Sequence, residues 1–291
     1  MEKQLKNIYR DRLGRTSDDH DSFFVNERVK DMLSNQLVVE LKRALTKKNL
    51  FFWISIIVLL PTVRFYMVKE GYQFYEPIEV FHETVSGIIP LLFPVIAIIV
   101  YLPSFLQEQR NKFITYTRTR VPLHIYIISK GLVNALLTGV ITFLLIFLPF
   151  LFIVYFEQEL GIIHYSPSNE HMRIPAVTFS QFLSHGALTY GLIYSSWVAV
   201  NGIVYSTIAF MLLLNVSNPF IALSIPFLFY HILNFVTGLF HIAIFSPLST
   251  IFPFNIEQQP LWTVLVPFSF LLIVLAIVFV FSIRNENEWM I

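Results

Sequence analysis

From Ala187 to Ile283 the chain carries a single ionisable acid or base, Glu257, histidines aside. Soluble domains keep about a quarter of their residues charged, so a stretch this long with one charge has a solvent other than water. A helix needs about 20 largely apolar residues to cross a hydrocarbon core of ~30 Å. Six stretches meet that requirement: 49–68, 85–106, 132–156, 187–214, 220–244 and 261–283. Over the whole chain 55% of residues are hydrophobic and 13% charged. The expectation is an all-α polytopic membrane protein with six transmembrane helices: a cytoplasmic N-terminal segment over 1–48 precedes a transmembrane domain over 49–291.

Lys and Arg in connecting segments are retained on the cytoplasmic side. The N-terminal segment holds Lys3, Lys6, Arg10, Arg12, Arg15, Arg28, Lys30, Lys42, Arg43, Lys47 and Lys48. The loop between the second and third spans holds Arg110, Lys112, Arg118, Arg120 and Lys130, and Arg284 follows the last span. With the N-terminus inside, only Arg64, Lys69 and Arg173 fall outside. Both termini are then cytoplasmic, and a bacterial plasma membrane is the expected location. The chain has no cysteine, which fits that location and excludes a disulfide framework or a thiolate metal site. No short basic region followed at once by an apolar run opens the chain, so the first span reads as a permanent anchor rather than a signal peptide.

Residues 1 to about 20 mix acids and bases without periodicity and read as a mobile or partner-bound tail, or as plain disorder. Val25, Val29, Met32 and Leu33 then recur at helical spacing after Ser22. A second stripe, Leu37, Leu41, Ala44 and Leu45, leaves Glu40, Lys42, Arg43, Lys47 and Lys48 on the other faces. Such a helix lies in the membrane interface, basic side toward headgroups, and runs into Phe51, Phe52 and Trp53 at the boundary. An ordinary juxtamembrane helix that only anchors is the alternative.

The segment 69–84 carries Glu70, Glu76, Glu79, His82 and Glu83. No metal-ligand spacing appears among them, and they read as a solvated acidic loop. The loop 157–186, with His164, His171 and His185, reads as a small extracellular cap, and 215–219 as a tight turn joining neighbouring helices. Residues 246–255 are apolar, interrupted by Pro247 and Pro253, and too short to span. They read as a re-entrant or interfacial element before the last span, with a plain apolar loop as the alternative.

No GxxxxGK[ST] phosphate loop, HExxH pair or GxSxG elbow occurs, so no catalytic residue and no metal ligand is assigned. Asn134, Asn201, His231 and Asn234 sit inside the spans. Intramembrane polar groups face the bundle interior or a water path, which leaves two roles open: a translocation path or hydrogen bonds between helices. Pro61, Pro90, Pro94, Pro149, Pro226 and Pro267 are candidates for kinks.

The loop 107–131 is too long for a turn. It reads as a cytoplasmic helix, a break, and a second helix with Pro122 in its first turn that enters the third span. Glu108, the turn over 119–122 and Ser129-Lys130 stand in the order seen in the membrane subunit of type-2 ATP-binding-cassette exporters, which the chain resembles. That family often carries Gly-Thr after the acid; Phe113-Ile114 stands nearby here. The resemblance implies a permease chain whose loop docks on a separate ATPase through Glu108, Arg110, Lys112, Arg118, Arg120 and Lys130. It also implies a second permease chain, the same or related. ATP and Mg would belong to the ATPase partner, with no cofactor in this chain. The Phe-rich spans and lack of buried charge favour an apolar or amphipathic cargo, such as a peptide, lipid-linked molecule or drug. Membrane lipid is a further expected partner, and nucleic acid is not. Two rivals stand beside this reading: an intramembrane enzyme using His231 or the outer Glu/His loop, and an ion-coupled carrier, which needs buried carboxylates near the midplane.

Overall fold

The computed structural model describes residues 29–111, 121–167, 176–252 and 257–284, and among them no β-strand is formed. The helices are α1 (29–44), α2 (Lys47–Val68), α3 (Pro77–Val85), α4 (Ile88–Ile99), α5 (Leu102–Arg110), α6 (Leu123–Leu151), α7 (Ala187–Asn215), α8 (Pro219–Leu239), α9 (Pro247–Ile251) and α10 (Trp262–Arg284). Five of them are long and apolar enough to cross a membrane, or up to six if the bent pair α3–α4 counts as one span. The chain is thus an all-helical, multi-pass membrane protein.

α7 is the axis of the bundle. In its most apolar window 67% of residues are buried, against 17% in α8 and 11% in α10. Apolar transfer does not drive helices together in lipid, where tails are as apolar as leucine, so close packing must do so. Glycines on facing helices supply it. A Cβ on Gly139 of α6 would stand 2.8 Å from Ile203, and one on Gly191 of α7 would stand 2.2 Å from the Phe150 ring. Around these approaches, Phe81 meets Phe150 edge-on at 5.4 Å, and Phe105 meets Phe210 at 5.1 Å.

The second span departs from the expected 85–106. Ser86 ends α3 in extended backbone, Gly87 follows at φ 76°, and α4 leaves α3 at 55°. A second break at Val100 and Tyr101 separates α4 from α5, and the freed Val100 carbonyl accepts from the Trp53 indole at 2.9 Å. The apolar run passes through both breaks without a change of hydropathy, which is why composition alone joins them.

The segment expected as a solvated acidic loop over 69–84 instead contains α3. Pro77 sits in its first turn, and the Glu79 carboxylate accepts from the N–H groups of Tyr75 and Glu76 at 2.7 and 3.2 Å. Val80, Phe81 and Val85 are fully buried. Arg64 of α2 donates to the Glu83 carbonyl and carboxylate and to the Ser86 hydroxyl, fastening the α3–α4 corner.

The third span is longer than the expected 132–156. α6 continues through a π-helical turn, Phe152–Glu157, and ends at Leu160, giving 38 residues. At 1.5 Å per residue that is about 57 Å, nearly twice a hydrocarbon core. Glu157, expected at the start of the extracellular loop, lies in this helix fully buried and accepts from the Ile163 N–H at 2.8 Å and from the Tyr165 hydroxyl.

Pro61, Pro94, Pro149, Pro226 and Pro267 lie inside helices, whereas Pro90 falls in the first turn of α4, where no intrahelical N–H bond is missed. The segment before the last span forms α9. The Ser246 hydroxyl caps it at 3.0 Å, the Asn234 side chain accepts from the Leu248 N–H at 2.8 Å, and the Trp197 indole donates to the Thr250 carbonyl at 2.9 Å.

Candidate functional site

The two ends of the basic loop meet at a buried ion cluster. Lys130 stands on the third turn of α6 with Tyr126 one turn before it, Glu108 lies on α5, and Glu40 and Arg43 lie on α1. The Lys130 ammonium donates to Glu40 Oε2 and Glu108 Oε2, each at 2.7 Å. Its remaining side faces the rings of Tyr126 at 4.9 Å and Phe105 at 5.6 Å. Glu40 Oε1 accepts from Gln36 at 2.9 Å and Arg43 at 3.0 Å. Glu108 Oε2 also accepts from the Tyr126 hydroxyl at 3.2 Å, with the Arg43 guanidinium 3.7 Å away.

Two cations and two carboxylates give the cluster no net charge. Lys130 is 0% exposed, Glu40 1% and Glu108 19%. Withdrawing charges from water costs several kcal/mol per ion, repaid only when geometry is good and the remaining polar sites are filled; here both Glu40 oxygens and two faces of the ammonium are engaged. The result is a joint between α1, α5 and α6, on both sides of the loop.

Lys130 and Glu108, expected among the side chains presented to a partner, thus bond to each other and to α1. Arg110 ends α5, while Lys112, Arg118 and Arg120 lie outside the described residues. In α1 the stripe Leu37, Leu41 and Ala44 packs on the bundle, in the cluster that holds Phe105 of α5 and Tyr126 of α6. The most buried line of α1 runs through Gln36, Glu40 and Ala44, while Val38, Val39 and Leu45 are 45–49% exposed. Sequence reasoning placed Glu40 on the headgroup side. The overlooked signal is that Glu40 is the only acid between residues 32 and 69, in a helix otherwise rich in bases.

From Lys130 a polar stripe continues down α6 at four-residue spacing through Asn134, Thr138 and Thr142, all fully buried. Asn134 accepts from the Ser206 hydroxyl of α7 at 2.8 Å, and the Thr138 hydroxyl lies 3.3 Å from both Ser206 and the Ala97 carbonyl. Thr142 bonds back to the Thr138 carbonyl at 2.6 Å and packs on Gly202. Asn134 therefore joins helices α6 and α7.

The other polar residues of the spans do not converge with it. Asn201 donates to its own helix at the Trp197 carbonyl, 2.9 Å away. His231 lies 3.0 Å from the Leu91 carbonyl with its ring against Phe227, whereas Asn234 holds α9. His231 and Asn234 share a helix face but serve different neighbours.

Among the described residues no three His, Asp or Glu side chains gather as metal ligands. The acids and histidine of 69–84 are divided: Glu83 pairs with Arg64 at 3.2 Å, Glu79 caps α3, and His82 meets the Tyr190 hydroxyl at 2.7 Å. No protein-family model, curated protein or solved structure matches the chain.

Proposed function

We propose that this chain is the permease subunit of an ATP-binding-cassette transporter, moving an apolar or amphipathic cargo with energy from a separate ATPase chain. The observation that carries the reading is the joint of Lys130 with Glu40 and Glu108. A loop that only anchors has no need of a buried ion cluster at its base. A loop that takes force from a partner does, because displacement at 107–131 is then delivered to α1, α5 and the 38-residue helix beginning at α6 as one rigid unit.

In this reading α3 and α4 together form one span, giving six. The N-terminus and the basic loop face the cytoplasm of a bacterium, α1 borders the inner face of the membrane, and α9 is a re-entrant element. Two permease chains surround the path. ATP and Mg reside in the partner, consistent with the missing phosphate loop in this chain. Arg110, Lys112, Arg118 and Arg120 contact the ATPase, and Lys130 and Glu108 hold the joint behind them. The polar stripe beneath Lys130 ties α6 to α7, so a tilt of the long helix carries α7 with it. A conformational equilibrium shifts only through differential binding to its two states, here supplied by ATPase closure against the loop.

The test is purification of the tagged chain together with the ATPase encoded in the neighbouring reading frame. A stable complex whose ATP hydrolysis depends on this chain supports the reading. Catalysis or ion-driven transport by this chain purified alone contradicts it.

A further inference from the structure

Between α2 and the distal part of α6 runs an open groove of about 250 Å³. Its walls include Pro61 of α2 and Pro149 of α6, and it adjoins the π-helical turn Phe152–Glu157. Prolines and π-turns are where neighbouring helices bend apart. Ile57, Phe65 and Ile153 make much of the surface apolar. Two threonines interrupt that lining: Thr62, which is exposed, and Thr84. Thr84 is 1% exposed, and its hydroxyl has no hydrogen-bond partner among the described residues. Buried hydroxyls are nearly always paired, so this one points to an acceptor supplied from outside the chain. Tyr66 also borders the groove, and the Lys69 ammonium lies 5.3 Å from the centre of its ring.

We propose that the groove holds one acyl chain of an anionic membrane phospholipid, its ester carbonyl accepting from Thr84 and its phosphate beside Lys69. The flanking side chains Val58, Leu59, Val63, Phe152 and Phe156 are exposed and apolar, so the medium against this face is lipid. The volume falls below the ~300 Å³ at which pockets for whole small molecules begin; it suits a single chain and is too small for a bulky cargo. From Tyr66 to Ile57 the α2 wall extends about 13 Å at 1.5 Å per residue, a length for the upper part of one chain. Arg64 is engaged with Glu83 and Ser86, which leaves Lys69 as the cation for the phosphate. The inference depends on the membrane-spanning fold and not on the transport reading.

The full-length protein is placed in bilayers of phosphatidylethanolamine and phosphatidylglycerol containing a phosphatidylglycerol probe with a photoreactive acyl chain. Labelling is expected to concentrate on peptides covering 57–66 and 148–153. It should fall at least threefold in Thr84→Val, which removes the donor, and in Thr62→Phe, where an exposed wall residue is enlarged to fill the groove. Thr84→Val should melt no lower than the parent in detergent, since it deletes an unpaired hydroxyl. Labelling spread over all lipid-facing helices and equal in both variants overturns the proposal. So does displacement of the probe by free palmitate, which would assign the groove to a fatty acid, or equal labelling by a phosphatidylethanolamine probe, which would remove the role of Lys69.

Discussion

Lys130 and Glu40, ninety residues apart in the chain, meet at 2.7 Å with neither side chain more than 1% exposed. The contact joins a helix before the first span to the entrance of the third, and Glu108 closes it from the helix preceding the basic loop. A buried ion pair is weak evidence for net stability, but breaking one by removing a single partner is costly because the other charge remains.

Lys130→Met should therefore destabilise the protein by about 3–5 kcal/mol, leaving two carboxylates buried without their shared cation. Lys130→Arg should rescue only in part, since a planar fork replaces a compact ammonium at a fully buried site. Thermal unfolding in detergent, with limited proteolysis near residues 45 and 46, checks both. A Lys130→Met variant within 0.5 kcal/mol of the parent would contradict the assignment.

Two helical glycines, one at the α6–α7 contact and one in α8, separate by sign. Gly191→Ala places a methyl 2.2 Å from the rigid Phe150 ring and should lower the melting temperature by several degrees or prevent assembly. Gly238→Ala in α8 meets nothing within 4 Å and should stabilise by about 0.5–1 kcal/mol through helix propensity. Parallel melting curves decide, and similar behaviour of the two would count against the close packing.

Asn234→Ala strips the Leu248 N–H of its acceptor and should cost about 1–3 kcal/mol, loosening α9. His231→Ala, at a more exposed position, should cost less. Amide exchange over 247–251 is the readout. Faster exchange in the Asn234 variant alone is expected, and unchanged exchange there would remove Asn234 as the anchor of α9.

The parts of this fold legible in the sequence are those where the apolar run and the chain punctuation coincide. The fourth span, expected over 187–214, is Ala187–Asn215, because Gly186 precedes it and Pro219 soon follows. The last, expected over 261–283, is Trp262–Arg284. The second span differs from 85–106 in its bounds and bends, a difference hidden from composition because the Ser86-Gly87 and Val100-Tyr101 breaks leave hydropathy unaltered. In α1 the stripe Leu37, Leu41 and Ala44 is legible and does pack, but against the bundle rather than acyl chains, and Glu40 is buried beside it by Lys130, ninety residues on. Glu108 and Lys130 are legible as motif residues, but that Lys130 joins both Glu108 and Glu40 is a tertiary fact that no local spacing encodes. The stripe Asn134, Thr138, Thr142 below Lys130 was open to inspection, being a plain four-residue repeat.

The proposed role of the cluster in coupling is tested most directly by the ATP hydrolysis rate of the chain reconstituted with the proposed ATPase, compared among parent, Glu40→Gln and Glu108→Gln. The account predicts that both variants still bind the ATPase but lose at least tenfold of the stimulation given by the parent chain. Full stimulation by both variants, in complexes of normal stoichiometry, would contradict it.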